Sequence, residues 1–357
     1  MNGNGRHSEL DGGLRSKHIS GELFDYSVLT NDWEGSRSQH CTGLTNLGNT
    51  CFMNSVLQCI AGTATLMNTC RENHDHGHSM LVENHSLEKD FLAIFESCVR
   101  SMHKDPGKTL KPTPFQNRMK EVIKSHRNGE QEDAHEYFVN FLDFLHNMEL
   151  TAYKNIHNLS KEWLRKNRSI EATTRISQIF GGTIRSQVMC GNCKHPSNTH
   201  DHITGLELEV ASGGLIESLA KFTAPEKLGM ANAYLCEKCK QKTQATKRIA
   251  IWTLPNVLVL QLKRFSFVHM QTGGKISRHV AFPEVLDMRE YLTDPSRGGG
   301  GNTVYDLYAT LIHKGSSANS GHYFADVKGE KQWFRMDDDT VHPVSVKSVL
   351  QQAHPGL

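Results

Sequence analysis

The chain has 357 residues, 37% hydrophobic and 22% charged, with a formal net charge of +2. That length suits one large domain or two ordinary ones, and the near-neutral charge leaves no electrostatic footprint for nucleic acid or an acidic membrane surface. No apolar run approaches the ~18 residues of a membrane span, so no membrane partner is expected.

Residues 1–40 are rich in Gly, Ser and charge, lack a secretory signal and are expected to be disordered, with the folded domain over 41–357. The nine cysteines are odd in number. Without a signal sequence they argue for a reducing compartment, nucleus or cytoplasm, and for metal binding or catalysis over disulfides. There are 21 histidines. Three of them, in Asn73-His74-Asp75-His76-Gly77-His78, read as part of a solvated polar loop, because no regular element orients them.

The first folded segment runs Gly43-Leu-Thr-Asn-Leu-Gly-Asn-Thr-Cys-Phe-Met-Asn-Ser-Val-Leu-Gln-Cys59. It places Cys51 after a polar turn, at the start of an amphipathic helix with Met53, Val56, Leu57 and Ile60 at helical spacing. Asn49 and Thr50 are suitable N-caps. A thiol there meets the positive end of the helix dipole, which favours the ionised, nucleophilic form. An ordinary buried cysteine would fit the same segment taken alone.

Helices are predicted over Leu87–Met102 and Pro114–Lys124, and a stronger one from Asp133. There Ala134, Tyr137, Phe138, Phe141 and Leu145 form a stripe, and Asp133 and Glu136 sit at capping-box spacing. Trp163–Arg168 reads as the start of a basic connection. From about Ile176 short strands take over: Gly182–Val188, Leu206–Val210, Ile249–Leu254, Val257–Phe265, Tyr305–His313, His322–Val327 and Gln332–Met336. Arg297–Asn302 is a glycine-rich loop. Helices first and strands second imply an α+β fold.

Two C-x-x-C knuckles, Cys190-Gly-Asn-Cys193 and Cys236-Glu-Lys-Cys239, can make a closed four-sulfur site, which suits one structural zinc ion. Buried thiols or a redox pair are the rival readings. The separation of the knuckles suggests that they tip two hairpins clamped by the metal. With four protein ligands no position stays open for water, so catalysis must lie elsewhere.

A catalytic cysteine needs a base and a group to orient it. Ser320-Gly-His322 through Met336-Asp337 has a hairpin pattern about a two-residue Gly329-Glu330 loop. Counted outward from it, Asp326 opposes Trp333 and His322 opposes Asp337, on one face. Asp337 would then accept from His322 Nδ1, turning Nε2 toward Cys51. Asp338 and Asp339 compete for that role, though Asp338 should face the other way if the strand continues. Asn46 is a candidate oxyanion donor, or simply a turn residue.

These segments resemble the ubiquitin-specific proteases, a family of cysteine deubiquitinases. Gly43–Cys59 is similar to its cysteine box and Gly129-Glu-Gln-Glu-Asp-Ala-His-Glu-Tyr-Phe138 to its Gln/Asp box. Tyr305–Val341 is similar to its histidine box, and Leu262-Lys-Arg-Phe265, Phe282–Asp287 and the knuckles are further landmarks. The resemblance covers about 43–350 in order. It implies a papain-like cysteine protease hand: a helical thumb over about 43–175, zinc-tipped fingers over about 180–255 and a palm over about 256–357. It implies Cys51 as nucleophile, His322 as base and acid, Asp337 as orienter, Asn46 as oxyanion donor and Asp133 as a binder of ubiquitin's C-terminal tail. Loops near Gln271–Ser277 and Ser316–Ser320 would border the tail channel.

Glu132 replaces the second Gln of the family's usual Gln-Gln-Asp. The family continues with a palm strand where this sequence stops at His354-Pro-Gly-Leu357, so a missing final strand is expected. The activity implied is hydrolysis after ubiquitin's C-terminal Gly, by a monomer whose partners are ubiquitin and its conjugates. A catalytically impaired ubiquitin-binding module is the alternative; a zinc-finger nucleic-acid binder is disfavoured by the charge.

Overall fold

Apolar residues at helical spacing build the first half of the chain. The computed structural model describes residues 23, 24, 26, 29, 42–72, 91–104, 107–264, 275–293, 303–317 and 320–351. Its helices are α1 (Cys51–Ala61), α2 (Ala64–Glu72), α3 (Phe91–Lys104), α4 (Thr113–Asn117), α5 (Met119–Val122), α6 (Ala134–Ile156), α7 (Lys161–Lys166) and α8 (Arg175–Phe180). The predicted Pro114–Lys124 helix is broken at Arg118 into α4 and α5. Trp163–Arg168 is not an open connection: Trp163–Lys166 falls in α7, whose Ser160 cap accepts from Trp163 N at 3.0 Å.

Aromatic rings fill the space between these helices. Phe52 of α1 meets Tyr137 of α6 edge-on at 5.6 Å, and Phe91, Phe95 and Phe115 each meet Phe141 edge-on. Edge-to-face pairs add to the burial term and fix ring orientation. α1, which carries Cys51, is thereby seated on the longest helix of the described residues.

One buried ionic cluster was not visible in the sequence. Arg175 of α8 is 1% exposed. It donates to Glu96 of α3 at 2.7 Å and to Glu149 of α6 at 3.1 Å. Burial raises the Glu149 carboxyl above its usual range, and Arg175 opposes that rise. The Phe24 ring lies 5.4 Å from the Arg175 guanidinium, and Phe24 N donates to Thr173 O. Phe24 and Leu29 are buried. Disorder, expected for 1–40, therefore does not hold at these residues, because the apolar side chains among the polar ones find a seat on α8.

The strands are β1 (Gly43–Leu44), β2 (Thr109–Leu110), β3 (Gly182–Cys190), β4 (Pro196–Ile203), β5 (Leu206–Glu209), β6 (Glu226–Leu228), β7 (Tyr234–Leu235), β8 (Lys242–Thr243), β9 (Ala245–Thr253), β10 (Leu260–Lys263), β11 (Val285–Asp287), β12 (Val304–Asp306), β13 (Ala309–Ser317), β14 (Ser320–Lys328), β15 (Trp333–Asp337) and β16 (Thr340–Val344). β4-β3-β9-β6 form one antiparallel sheet and β13-β14-β15-β16 another. β5 leaves the first sheet to pair in parallel with β10. Helix α9 (Leu215–Thr223) packs beside them, with Leu206, Leu208 and Leu219 buried against Met288 and Leu292. Residues 206–223 thus bridge β10 and the finger sheet, where Ile251 of β9 joins the same apolar cluster and Arg248 Nε donates to Thr223 O at 3.1 Å.

Cys59 of α1 packs on Ala325, Val327, Phe334 and Met336 of the last sheet, so α1 is shared between the helical layer and that sheet. A short helix, α10 (Val346–Gln351), follows β16. The histidine cluster at 74–78, the Arg297–Asn302 loop and the expected C-terminal departure at His354–Leu357 lie outside the described residues.

Arg175→Ala should lower the unfolding free energy by about 3–5 kcal/mol in denaturant titrations, because it strands two buried carboxylates. A loss below about 1 kcal/mol, the range of an exposed pair, would show that Glu96 and Glu149 do not depend on it.

Candidate active site

The approach to Cys51 is a tight turn. Asn46 Oδ1 accepts from Gly48 N at 3.0 Å and Thr50 N at 3.2 Å, an Asx-type closure. The turn runs through left-handed backbone at Gly48 (φ 107°) and Asn49 (φ 55°), residue types that tolerate it. Thr50 precedes α1 as its N-cap, but its hydroxyl accepts from Leu47 N at 2.9 Å and makes no capping bond. No capping side chain therefore covers the first-turn amides beside Cys51, and a helix end of this kind favours an anion. Cys51 itself is 3% exposed.

The β14–β15 hairpin differs from its expected register. Lys328 pairs with Trp333 and Asp326 with Arg335, so the loop has four residues, closed by Gly329 N to Gln332 O at 2.8 Å. The reason is electrostatic as well as steric. Fully buried Asp326 needs a partner, and Arg335 directly opposite supplies two bonds, at 2.9 and 3.3 Å. A two-residue shift keeps the pleat parity, so His322 and Asp337 still share a face. They meet with 2.5 Å between His322 Nε2 and Asp337 Oδ1. The nitrogen is the opposite of that expected: Nε2 faces the carboxylate, and Nδ1 is the ring nitrogen left outside this bond.

Asp337 bonds His322, while Asp338, whose carboxylate lies within 4.8 Å of a His322 ring nitrogen, does not continue the strand. β15 ends at Asp337, and Asp338 turns the chain in left-handed backbone (φ 51°). Its carbonyl accepts from Leu44 N at 2.8 Å, Oδ1 from Asn54 Nδ2 at 2.8 Å and Oδ2 from Asn46 Nδ2 at 2.9 Å. The turn of the hairpin is thereby clasped to β1, to the Cys51 turn and to the second turn of α1. Gly43 permits the approach, since a Cβ there would lie 2.4 Å from Asp339 O. The clasp also engages Asn46: its Oδ1 serves the turn, one Nδ2 proton serves Asp338, and the second Nδ2 proton remains for a ligand.

Gln131, for which the sequence suggested no role, reaches the thiol. Its Nε2 donates to Cys51 Sγ at 3.2 Å and to Gly321 O, next to His322, at 2.9 Å. Its place in the Gln-Glu-Asp run was the available signal. Asp133 caps α6, with Oδ1 accepting from His135 N at 2.8 Å and Glu136 N at 3.0 Å, which leaves Oδ2 outside the cap. The Tyr323 hydroxyl accepts from the Ala134 backbone, and burial, with Asp133 near, pushes its phenol above the usual range. His313, on β13, is lowered to about 4 by burial and by Lys275, whose ammonium lies 3.2 Å from its Nδ1. Burial pushes Cys59, Cys70 and Cys98 up to about 12, which keeps them inert near neutral pH.

The two knuckles tip two hairpins, β3–β4 and β7–β8. The turns are near copies: Lys194 (φ 57°) and Lys240 (φ 56°) follow each pair, and Cys190 N and Cys236 N each donate to the carbonyl five residues on, His195 O and Gln241 O, at 3.0 Å. The four sulfurs lie within 4.8 Å of one another, with Cys190–Cys239 at 3.9 Å and Cys193–Cys236 at 3.6 Å. A zinc ion ~2.3 Å from each sulfur sets them roughly 3.8 Å apart in a tetrahedron, so the group fits.

The sequence model described as "Ubiquitin carboxyl-terminal hydrolase" matches residues 42–355. The chain belongs to the ubiquitin carboxyl-terminal hydrolase family. It is 37% identical over 312 residues to human ubiquitin carboxyl-terminal hydrolase 42, covering 87% of this chain and 22% of that protein. It is 35% identical over 340 residues to the probable ubiquitin carboxyl-terminal hydrolase 16 of Schizosaccharomyces pombe, covering 92% of this chain and 68% of that one. Among solved structures, the SAGA Ubp8/Sgf11/Sus1/Sgf73 DUB module bound to ubiquitin aldehyde is similar, with TM-score 0.70, 27% identity and coverage of 89% of this chain and 68% of that one. The chain thus has the family's hand: α1–α8 form the thumb, the β3–β9 sheet the fingers and the β13–β16 sheet the core of the palm.

Elemental analysis of the purified chain should find one equivalent of zinc, lost in Cys193→Ser and Cys236→Ser together with a lower Tm. A metal-free chain with the same Tm as these variants would exclude a structural zinc.

Proposed function

We propose that this chain is a thiol-dependent deubiquitinase, hydrolysing the isopeptide or peptide bond after the C-terminal glycine of ubiquitin. The observation that carries the reading is the clasp, which holds the His322–Asp337 pair against the N-terminus of the Cys51 helix. The similarity to a module bound to ubiquitin aldehyde supports the choice of substrate.

Cys51 Sγ attacks the glycine carbonyl. His322 takes the thiol proton at Nδ1 and passes it to the leaving amine, while Asp337 accepts from Nε2–H and stabilises the imidazolium that forms. A thioester with ubiquitin results, and water deprotonated by His322 releases it. First-turn amides of α1 and the remaining Nδ2 proton of Asn46 face the developing oxyanion. Asp133 Oδ2, outside its cap, accepts from the backbone of the extended tail. The four cysteines of the fingers hold a structural zinc that takes no part in these steps.

Released fluorophore from ubiquitin carrying a C-terminal fluorogenic amide measures the activity directly. Turnover by the wild-type chain, lost by more than about a thousandfold in Cys51→Ala and in His322→Ala, is the expected result. No turnover by a folded wild-type chain that still binds ubiquitin would favour the binding-module reading instead.

A further inference from the structure

Gln131 lies in a loop pinned on both sides. Upstream, Asn49 Nδ2 donates to Gly129 O at 2.7 Å. Downstream, Glu132 pairs with His126, Nδ1 to Oε1, at 2.7 Å with both side chains mostly buried, and Asp133 caps α6. The departure from the family's Gln-Gln-Asp therefore has a local partner, and the backbone that carries Gln131 is held on the thumb. From there the side chain crosses to the palm, with its Nε2 bonded to both Cys51 Sγ and Gly321 O.

We infer that Gln131 is a further catalytic residue, a side-chain donor at the reacting centre; the inference rests on the deubiquitinase reading. In the resting enzyme its N–H lies on the Cys51 sulfur, placed to stabilise the anion that forms when His322 takes the thiol proton. On attack, the sulfur's electron pair forms the C–S bond and the carbonyl π pair moves to oxygen, so the negative charge leaves the sulfur. The sulfur becomes a neutral thioether and a poor acceptor. The new oxyanion sits on the carbon that the sulfur has just bonded, within the reach of the same N–H. A donor already fixed in place costs little reorganisation at that moment. When the oxyanion collapses, the C–N bond breaks, the amine takes its proton from His322, and the N–H returns to the thioester side. The second N–H, on Gly321 O, fixes the strand bearing His322 relative to the nucleophile.

Asn46 differs in what it holds. Its carboxamide closes the turn and joins the Asp338 clasp, so its loss loosens the site as well as removing a donor. Gln131 closes no turn before Cys51; its removal takes away the donor on the sulfur together with the bond to Gly321 O.

Ubiquitin aldehyde tests this, because Cys51 adds to it to give a hemithioacetal oxyanion, whereas free ubiquitin makes no such adduct. The variants are Gln131→Ala and the near-isosteric Gln131→Glu, which keeps the shape and removes the donor. Both should lower kcat by about a hundredfold to a thousandfold on the fluorogenic amide, the range for one oxyanion donor. Both should weaken ubiquitin aldehyde by a similar factor, with KM and free-ubiquitin affinity within twofold of wild type and Tm unchanged. Unchanged kcat in Gln131→Glu would overturn the inference. So would equal losses of aldehyde and free-ubiquitin affinity, since Gln131 would then only shape the site. A wild-type chain that neither turns over nor binds the aldehyde would sink the functional reading and this inference with it.

Discussion

The site depends on three hydrogen bonds made by one turn. Asp338 uses its carbonyl and both carboxylate oxygens to join the β15–β16 turn to β1, Asn46 and Asn54. Cys51 and His322 lie about 270 residues apart in sequence, on elements of different class. Nothing local brings them together. Bonds from two carboxamides to a carboxylate are stronger than neutral pairs would be, and the Leu44 amide adds a bond to the Asp338 carbonyl. Its left-handed backbone gives the turn the geometry to point both oxygens back at α1.

Around that clasp the molecule divides the work. Aromatic packing between α1, α3 and α6 and the buried Arg175 cluster make the thumb rigid. The palm sheet is held in register by Asp326 and Arg335 on adjacent strands. Rigid supports on both sides let short side chains, Asn46, Gln131 and Asp337, present their polar atoms without searching. The four-cysteine cluster, which could hold a zinc ion, lies at the tips of two hairpins.

Much of this was readable in the residues. The helix behind Cys51, the Asp133 cap and the knuckle-tipped hairpins follow from local periodicity, capping chemistry and cysteine spacing, and the structure places them there. The facing of His322 and Asp337 followed from pleat parity, which survives a two-residue slip. The slip itself was hidden, because it turns on the need of buried Asp326 for Arg335 rather than on loop sequence. The ring nitrogen that faces Asp337, the Asp338 clasp and the Gln131 contact were hidden for one reason: each depends on a partner in the other half of the chain. Arg175 was invisible likewise, since a lone arginine in a helix reads as surface until two glutamates on other helices enclose it.

The most direct measurement is a crystal structure of the chain trapped with ubiquitin bearing a C-terminal electrophile. The expected adduct joins Cys51 Sγ to the end of the ubiquitin tail, with His322 Nδ1 turned toward that sulfur, Nε2 still on Asp337 and Asp338 still bonded to Asn46 and Asn54. An adduct on another cysteine, or one at Cys51 with His322 parted from Asp337, would contradict the assembly of the site around the clasp.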